Sequence, residues 1–134
     1  MEIQWTQEDL RERSMGFTGY CGIRIDKVEQ GYCEVSIPRL EPHHLNPRGM
    51  AHGGLICTLM DVCAGVTAIY AHGEKRNIVT QNCDIHYLRP AAGSLRAVGR
   101  VLKAGRSTCV SQVELLGEDG QLCAQGSFTL FYLP

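Results

Sequence analysis

The stretch HHLNPRGMAHGGLICTLMDVCAG, residues 43–65, decides how this chain is read. Its first half is polar and carries Pro47, Gly49, Gly53 and Gly54; its second half is an apolar run with one acid, Asp61, the only charged side chain between Gly53 and Tyr70. Burying a lone carboxylate costs several kcal/mol, so an acid in such company is paired, hydrogen-bonded or used. Leu55, Leu59, Val62, Val66 and Ile69 recur near helical spacing, and Ile56, Met60, Cys63 and Ala64 make the segment apolar on nearly every side. The pattern predicts a central, enclosed helix over 52–71, stopped by His72-Gly73.

Toward the N-terminus, Thr6 is placed to cap a short helix running to about residue 15, with Asp9 in its first turn. Cys21, Ile23 and Ile25 then alternate with polar residues, as do Cys33, Val35 and Ile37 beyond a turn at 29–31, which predicts a hairpin. Pro38 and Pro42 end it and open a loop through residue 51. After the central helix, strand-like runs occupy 77–88, 94–103, 107–116 and 121–132. Ala104-Gly105-Arg106 and Glu118-Asp119-Gly120 separate the last three by hairpin-length turns, which predicts an antiparallel meander. The order is helix, two strands, long helix, four strands, with no repeat or linker: a single α+β domain over 1–134, one antiparallel sheet with a helix on it.

Composition narrows the function classes. A chain of 134 residues can bury roughly two thirds of its unfolded surface, so a core needs neither metal nor disulfide. Its 13 basic and 14 acidic residues nearly cancel, which argues against a nucleic-acid partner or an anionic membrane surface. Seven cysteines form no CxxC pair and sit mostly in apolar runs, as reduced core residues do. The polar, acidic start predicts a cytoplasmic protein, and the apolar run from 55 to 70 is short of the roughly 20 residues that span a bilayer.

The string HxN(x)5HGG(x)6D, carried by His44, Asn46, His52, Gly53, Gly54 and Asp61, resembles that of the hotdog-fold acyl-CoA thioesterases of the phenylacetate-degradation (PaaI) type, and Tyr87-Leu88-Arg89-Pro90 is similar to that family's usual close of the following strand. The resemblance covers nearly the whole chain. It implies an antiparallel sheet wrapped around a long helix, hydrolysis of an aryl- or medium-chain acyl-CoA to the free acid and coenzyme A, and active sites at a homodimer interface, often within a homotetramer. Coenzyme A is then part of the substrate, and no further cofactor is implied.

Residue by residue, the glycines 53 and 54 leave backbone N–H groups unpaired at a helix start, where a thioester carbonyl can be polarised as in an oxyanion hole. Asp61 is the general base for water or the direct nucleophile. It lies seven residues past Gly54, roughly 10 Å along the axis, so acid and oxyanion donor meet on one carbonyl only if they come from different copies of the chain. The resemblance implies that Asn46 is a site residue holding water or carbonyl and that Thr80 helps to place the water; His52 is placed to orient the loop or to lend an N–H to the substrate sulfur or carbonyl, a positioning role rather than proton transfer. Arg89, Lys103 and Arg106, with Gly54, are candidates for the phosphates and body of coenzyme A. His43, His44, His52 and His86 lack metal-ligand spacing, so no metal is expected. Cys57 and Cys63 read as core residues. The alternative from another class is a noncatalytic acyl-CoA-binding module of the same fold; a hydratase is a further rival that a substrate panel separates.

Overall fold

The computed structural model describes residues 2–4 and 6–134, with Leu10 by its backbone alone. Helix α1, Gln7–Arg13, starts where Thr6 caps it: the Asp9 N–H donates to Thr6 Oγ1 at 3.0 Å while the Thr6 N–H donates to Asp9 Oδ2 at 3.1 Å. This reciprocal box satisfies two of the donors that a helix start leaves open. The Lys75 ammonium, 2.7 Å from Asp9 Oδ1, ties α1 to the segment after the central helix and holds the Asp9 carboxyl down at about 2. A second short helix, α2 (Gly16–Tyr20), starts at Gly16, whose φ of +64° turns the chain; five residues carry too little periodicity to be read in advance.

The predicted hairpin is present as β1, Arg24–Glu29, and β2, Tyr32–Ile37, joined at Gln30-Gly31. The first strand starts later and ends later than the alternation suggested. A bulge at Asp26 shifts its parity, so that Val28 turns inward and continues the strand. Within the predicted loop, Pro42–His44 form one 3-10 turn, and His44 is buried there, its Nδ1 accepting from the Glu41 N–H and its Nε2 bonded to the Cys21 carbonyl at 2.8 Å.

The central helix α3, Gly53–Ile69, is followed by β3 (Ile78–Tyr87), β4 (Leu95–Ala104), β5 (Thr108–Leu116) and β6 (Leu122–Tyr132). All strands join one antiparallel sheet in the order β1-β2-β4-β5-β6-β3. This is the expected α+β hotdog architecture, the sheet wrapping the helix, and β4-β5-β6 are the expected meander. Helix α3 packs on β2, β4 and β5, over a core that includes Val35, Ile37, Leu95, Val113, Phe128 and Leu130, each contributing about 1.5–3 kcal/mol by burial. The approach is close at Gly99 in β4, where a Cβ would lie 2.5 Å from Thr67 Oγ1 and 2.9 Å from Cys63 Sγ. At its far end the helix is anchored by the Tyr132 hydroxyl, which donates to the Ala68 carbonyl at 2.8 Å.

Enclosure of α3 is incomplete. Gly53, Gly54, Cys57, Thr58, Asp61 and Val62 form a stripe that is only half-buried or exposed, because the sheet covers the other sides. Strand β3 lies alongside this stripe at one edge of the sheet, paired on its other side to β6, and most of its residues are exposed. Five cysteines are core residues as expected, but Cys57 is half-buried and Cys83 exposed, since both belong to this uncovered side. No helix among the described residues is long and apolar enough to cross a membrane.

Candidate active site

Helix α3 and strand β3 run side by side and meet in rungs one helical turn apart. Ile78 reaches Gly65, where a Cβ would be 3.5 Å from its Cδ1; the Thr80 hydroxyl donates to Asp61 Oδ1 at 2.7 Å; the thiols of Cys57 and Cys83 meet; and the Tyr87 hydroxyl donates to the Gly53 carbonyl at 3.1 Å. The helix supplies every fourth residue, 53, 57, 61 and 65. A bulge in β3 between Thr80 and Asn82 changes which side chains face the helix and so lets Thr80, Cys83 and Tyr87 all do so. Burial first, then the neighbouring Cys83, push the Cys57 thiol up, which keeps it protonated and a poor nucleophile. Burial likewise raises Tyr87 and keeps its phenol a donor.

Before the helix, the loop is built around Asn46. Its Oδ1 accepts from the N–H groups of Arg48 at 2.9 Å and Met50 at 3.1 Å, and its backbone N–H donates to the Met50 carbonyl at 2.7 Å. These bonds fix which side-chain atom is the oxygen and leave the Nδ2 donors unengaged among the described residues. His52 caps α3: its Nδ1 accepts from the Gly54 N–H at 2.8 Å. Of the two glycine amides, Gly54 is therefore occupied, while the Gly53 N–H bonds to no group of the chain among the described residues. The Nδ1 bond also suits His52 to holding the helix start rather than to moving protons.

Asn46, Gly53 and Arg89 line one groove of about 390 Å³, together with Arg48 and Tyr87. Asp61 and Thr80 line a separate cavity of about 180 Å³. Eight residues separate Gly53 from Asp61, about 12 Å along the axis, so within one chain the free amide and the acid do not reach the same atom. Arg89 also bonds to the Gln121 side chain, which lies outside that groove. Lys103 and Arg106 do not join that groove: the turn after β4 lies beside the other end of α3, with His72 Nε2 on the Gly105 carbonyl and Arg76 donating to the Arg106 carbonyl. A helix of 17 residues puts them about 25 Å from Gly53 in the same chain. Arg48 was missed by the sequence reading, although its place two residues after Asn46 was a usable signal. His43, His44 and His52 cluster at one end of the helix, and among the described residues no group of three or more His, Cys, Asp or Glu is arranged to hold a metal.

Residues 48–124 match the family model of the Thioesterase superfamily. The chain belongs to this family. It is a thioester hydrolase by that membership, and solved structures share its fold. A conserved Pseudomonas aeruginosa protein is 36% identical with a TM-score of 0.84, the match covering 92% of this chain and 98% of the other. A Streptococcus mutans protein whose structure was solved bound to acetyl CoA is 31% identical with a TM-score of 0.76, over 83% of this chain and 88% of the other. Among relatives known by sequence, the 1,4-dihydroxy-2-naphthoyl-CoA hydrolase of Escherichia coli is 25% identical over 126 residues, 92% of each chain.

Proposed function

We propose that this thioesterase hydrolyses acyl-CoA thioesters to the free acid and coenzyme A at two equivalent sites across a homodimer. The observation that carries the reading is the Asp61 carboxylate, half-buried and held by the Thr80 hydroxyl at 2.7 Å, on the open stripe of a helix whose first amide, Gly53 N–H, is free among the described residues. A second copy related by a two-fold axis, with its α3 antiparallel and its β3 edge against this one, covers both the stripe and the unpaired edge. Gly53 of each copy then faces Asp61 of the other, and Cys57, midway between them in sequence, lies beside the axis.

In the reaction, the Gly53 N–H of one copy donates to the thioester oxygen as negative charge develops there, an interaction worth about 10²–10³ in rate at other enzymes. Asp61 of the other copy takes a proton from the attacking water, or adds directly to the carbonyl carbon to give an anhydride that water then opens; either way the C–S bond breaks and the coenzyme A thiolate leaves to be protonated. Thr80 fixes the carboxylate, Asn46 Nδ2 orients water or carbonyl, and His52 holds the Gly53-Gly54 turn. Arg48 and Arg89 give the groove beside Gly53 the positive charge that suits coenzyme A phosphates, and the S. mutans structure with acetyl CoA supports a coenzyme A thioester as the substrate. Gly54 contributes through its place in the turn, and Lys103 and Arg106 enter this reading only across an interface between copies. A tetramer made of two such dimers fits the same scheme.

Subunit mixing tests the reading. Asp61→Ala and Asn46→Asp, the latter keeping the turn's acceptor, are each expected to lower thiol release from acyl-CoAs a hundredfold or more. A one-to-one mixture refolded together regains about a quarter of wild-type activity, because half the dimers are hybrids with one intact site. Wild-type turnover by Asp61→Ala, or no recovery on mixing, refutes it; binding without turnover in the wild type points to the noncatalytic module.

A further inference from the structure

The cavity beside Asp61 has a second polar end. Val62, Val66, Ile69 and Ile78 wall it, Asp61 and Thr80 stand at one end, and Arg13 from α1 and Thr18 from α2 complete it. Arg13 also lies near enough to Tyr70, at the C-terminal end of α3, to act on its phenol, and Tyr70 is nine residues, about 13 Å, along the axis from Asp61. An apolar slot thus runs from the acid toward a guanidinium. The Arg13 Nε is buried and has no hydrogen-bond partner, and Arg13 makes no ion pair among the described residues. Two acids of its own helix are already engaged, since Lys75 lies 2.7 Å from Asp9 and 3.4 Å from Glu12, while Glu8 makes no ion pair with Arg13 among the described residues. Asp61 accepts from Thr80 rather than from Arg13. A buried donor left open on a fixed charge favours a ligand that brings an anionic acceptor.

We propose that this cavity takes an acyl group whose far end carries a carboxylate, held by Arg13 with help from the Thr18 hydroxyl, while its thioester end meets Asp61 and Thr80. The substrates are then coenzyme A monothioesters of dicarboxylic acids, a class the family membership does not specify. The inference rests on the hydrolase reading above for the position of the thioester carbon.

The experiment compares adipoyl-CoA with hexanoyl-CoA and suberoyl-CoA with octanoyl-CoA, pairs that differ by the terminal carboxylate, using wild type, Arg13→Gln and Arg13→Lys. Wild type is expected to favour the carboxylate partner by tenfold or more in kcat/KM. Arg13→Gln removes that preference with the unsubstituted acyl-CoAs unchanged, and Arg13→Lys restores part of it. Absence of a preference in wild type, or an equal loss on both members of a pair in Arg13→Gln, overturns the assignment. Kd values measured on Asp61→Asn separate the two readings. Tighter binding of the carboxylate partners without turnover by wild type sinks the hydrolase reading and upholds the cavity assignment, whereas equal or absent binding of the pairs overturns the cavity assignment even if wild type hydrolyses them.

Discussion

Replacing Thr80 by valine removes one hydroxyl and nothing else of consequence in volume, and so isolates what the 2.7 Å bond to Asp61 contributes. A hydrogen bond to a charged acceptor is worth about 1.5–3 kcal/mol net, and the exposure of Thr80 discounts this one to about 1–2 kcal/mol. If that energy is spent on fixing the carboxylate for attack, Thr80→Val lowers kcat roughly 5- to 30-fold with KM little changed, whereas Asp61→Ala loses a hundredfold or more. Thr80→Ser keeps the donor and recovers most of the rate. The assay follows coenzyme A release with a chromogenic disulfide, with a control lacking substrate because the protein carries free cysteines of its own. Adding Thr80→Val to Asp61→Ala is expected to cost nothing further, since the hydroxyl acts through the acid. Full turnover in Thr80→Val, or an undiminished extra loss in the double variant, would refute the reasoning.

Two further expectations concern the frame that holds the site. Gly99→Ala puts a Cβ 2.5 Å from Thr67 Oγ1 and 2.9 Å from Cys63 Sγ, deep in the contact between β4 and α3, and should destabilise the fold by about 1–3 kcal/mol in denaturant titration; an unchanged midpoint would mean the helix shifts freely. The Asp9–Lys75 pair gives the protein an acid dependence of known sign. Asp9 titrates at about 2 folded against 3.8 as a free side chain, so its stabilisation is complete above pH 4 and is lost as the pH falls through that window. Lys75→Met is expected to cost about 1–2 kcal/mol at neutral pH, after allowance for the partly exposed ammonium, and to flatten melting temperature against pH between 4 and 2; parallel curves for the two proteins would rule out the pair as the cause.

Much of the architecture was legible along the chain because the signals are local. Helical spacing over 55–69, the Thr6 cap and the turns after β4 and β5 each depend on residues within a few positions of one another, and the reciprocal bond from Thr6 to Asp9 was added by the structure. The run from Asn46 to Asp61 likewise marks where chemistry is concentrated, and the resemblance it carries led to the family that the chain proves to belong to.

Tertiary structure decided the rest. That β3 sits at the sheet edge beside β6, and that a bulge after Thr80 turns that strand's side chains onto the stripe of α3, are consequences of non-local pairing that alternation cannot encode. Charge placement is equally non-local. Arg89, Lys103 and Arg106 look alike in sequence, yet a helix about 25 Å long stands between the first and the other two, while Arg48 and Arg13, unremarked in the chain, face grooves. Sequence names the residue types a reaction needs, but reaction depends on distances of about 3 Å, and those are set only when the sheet closes around the helix.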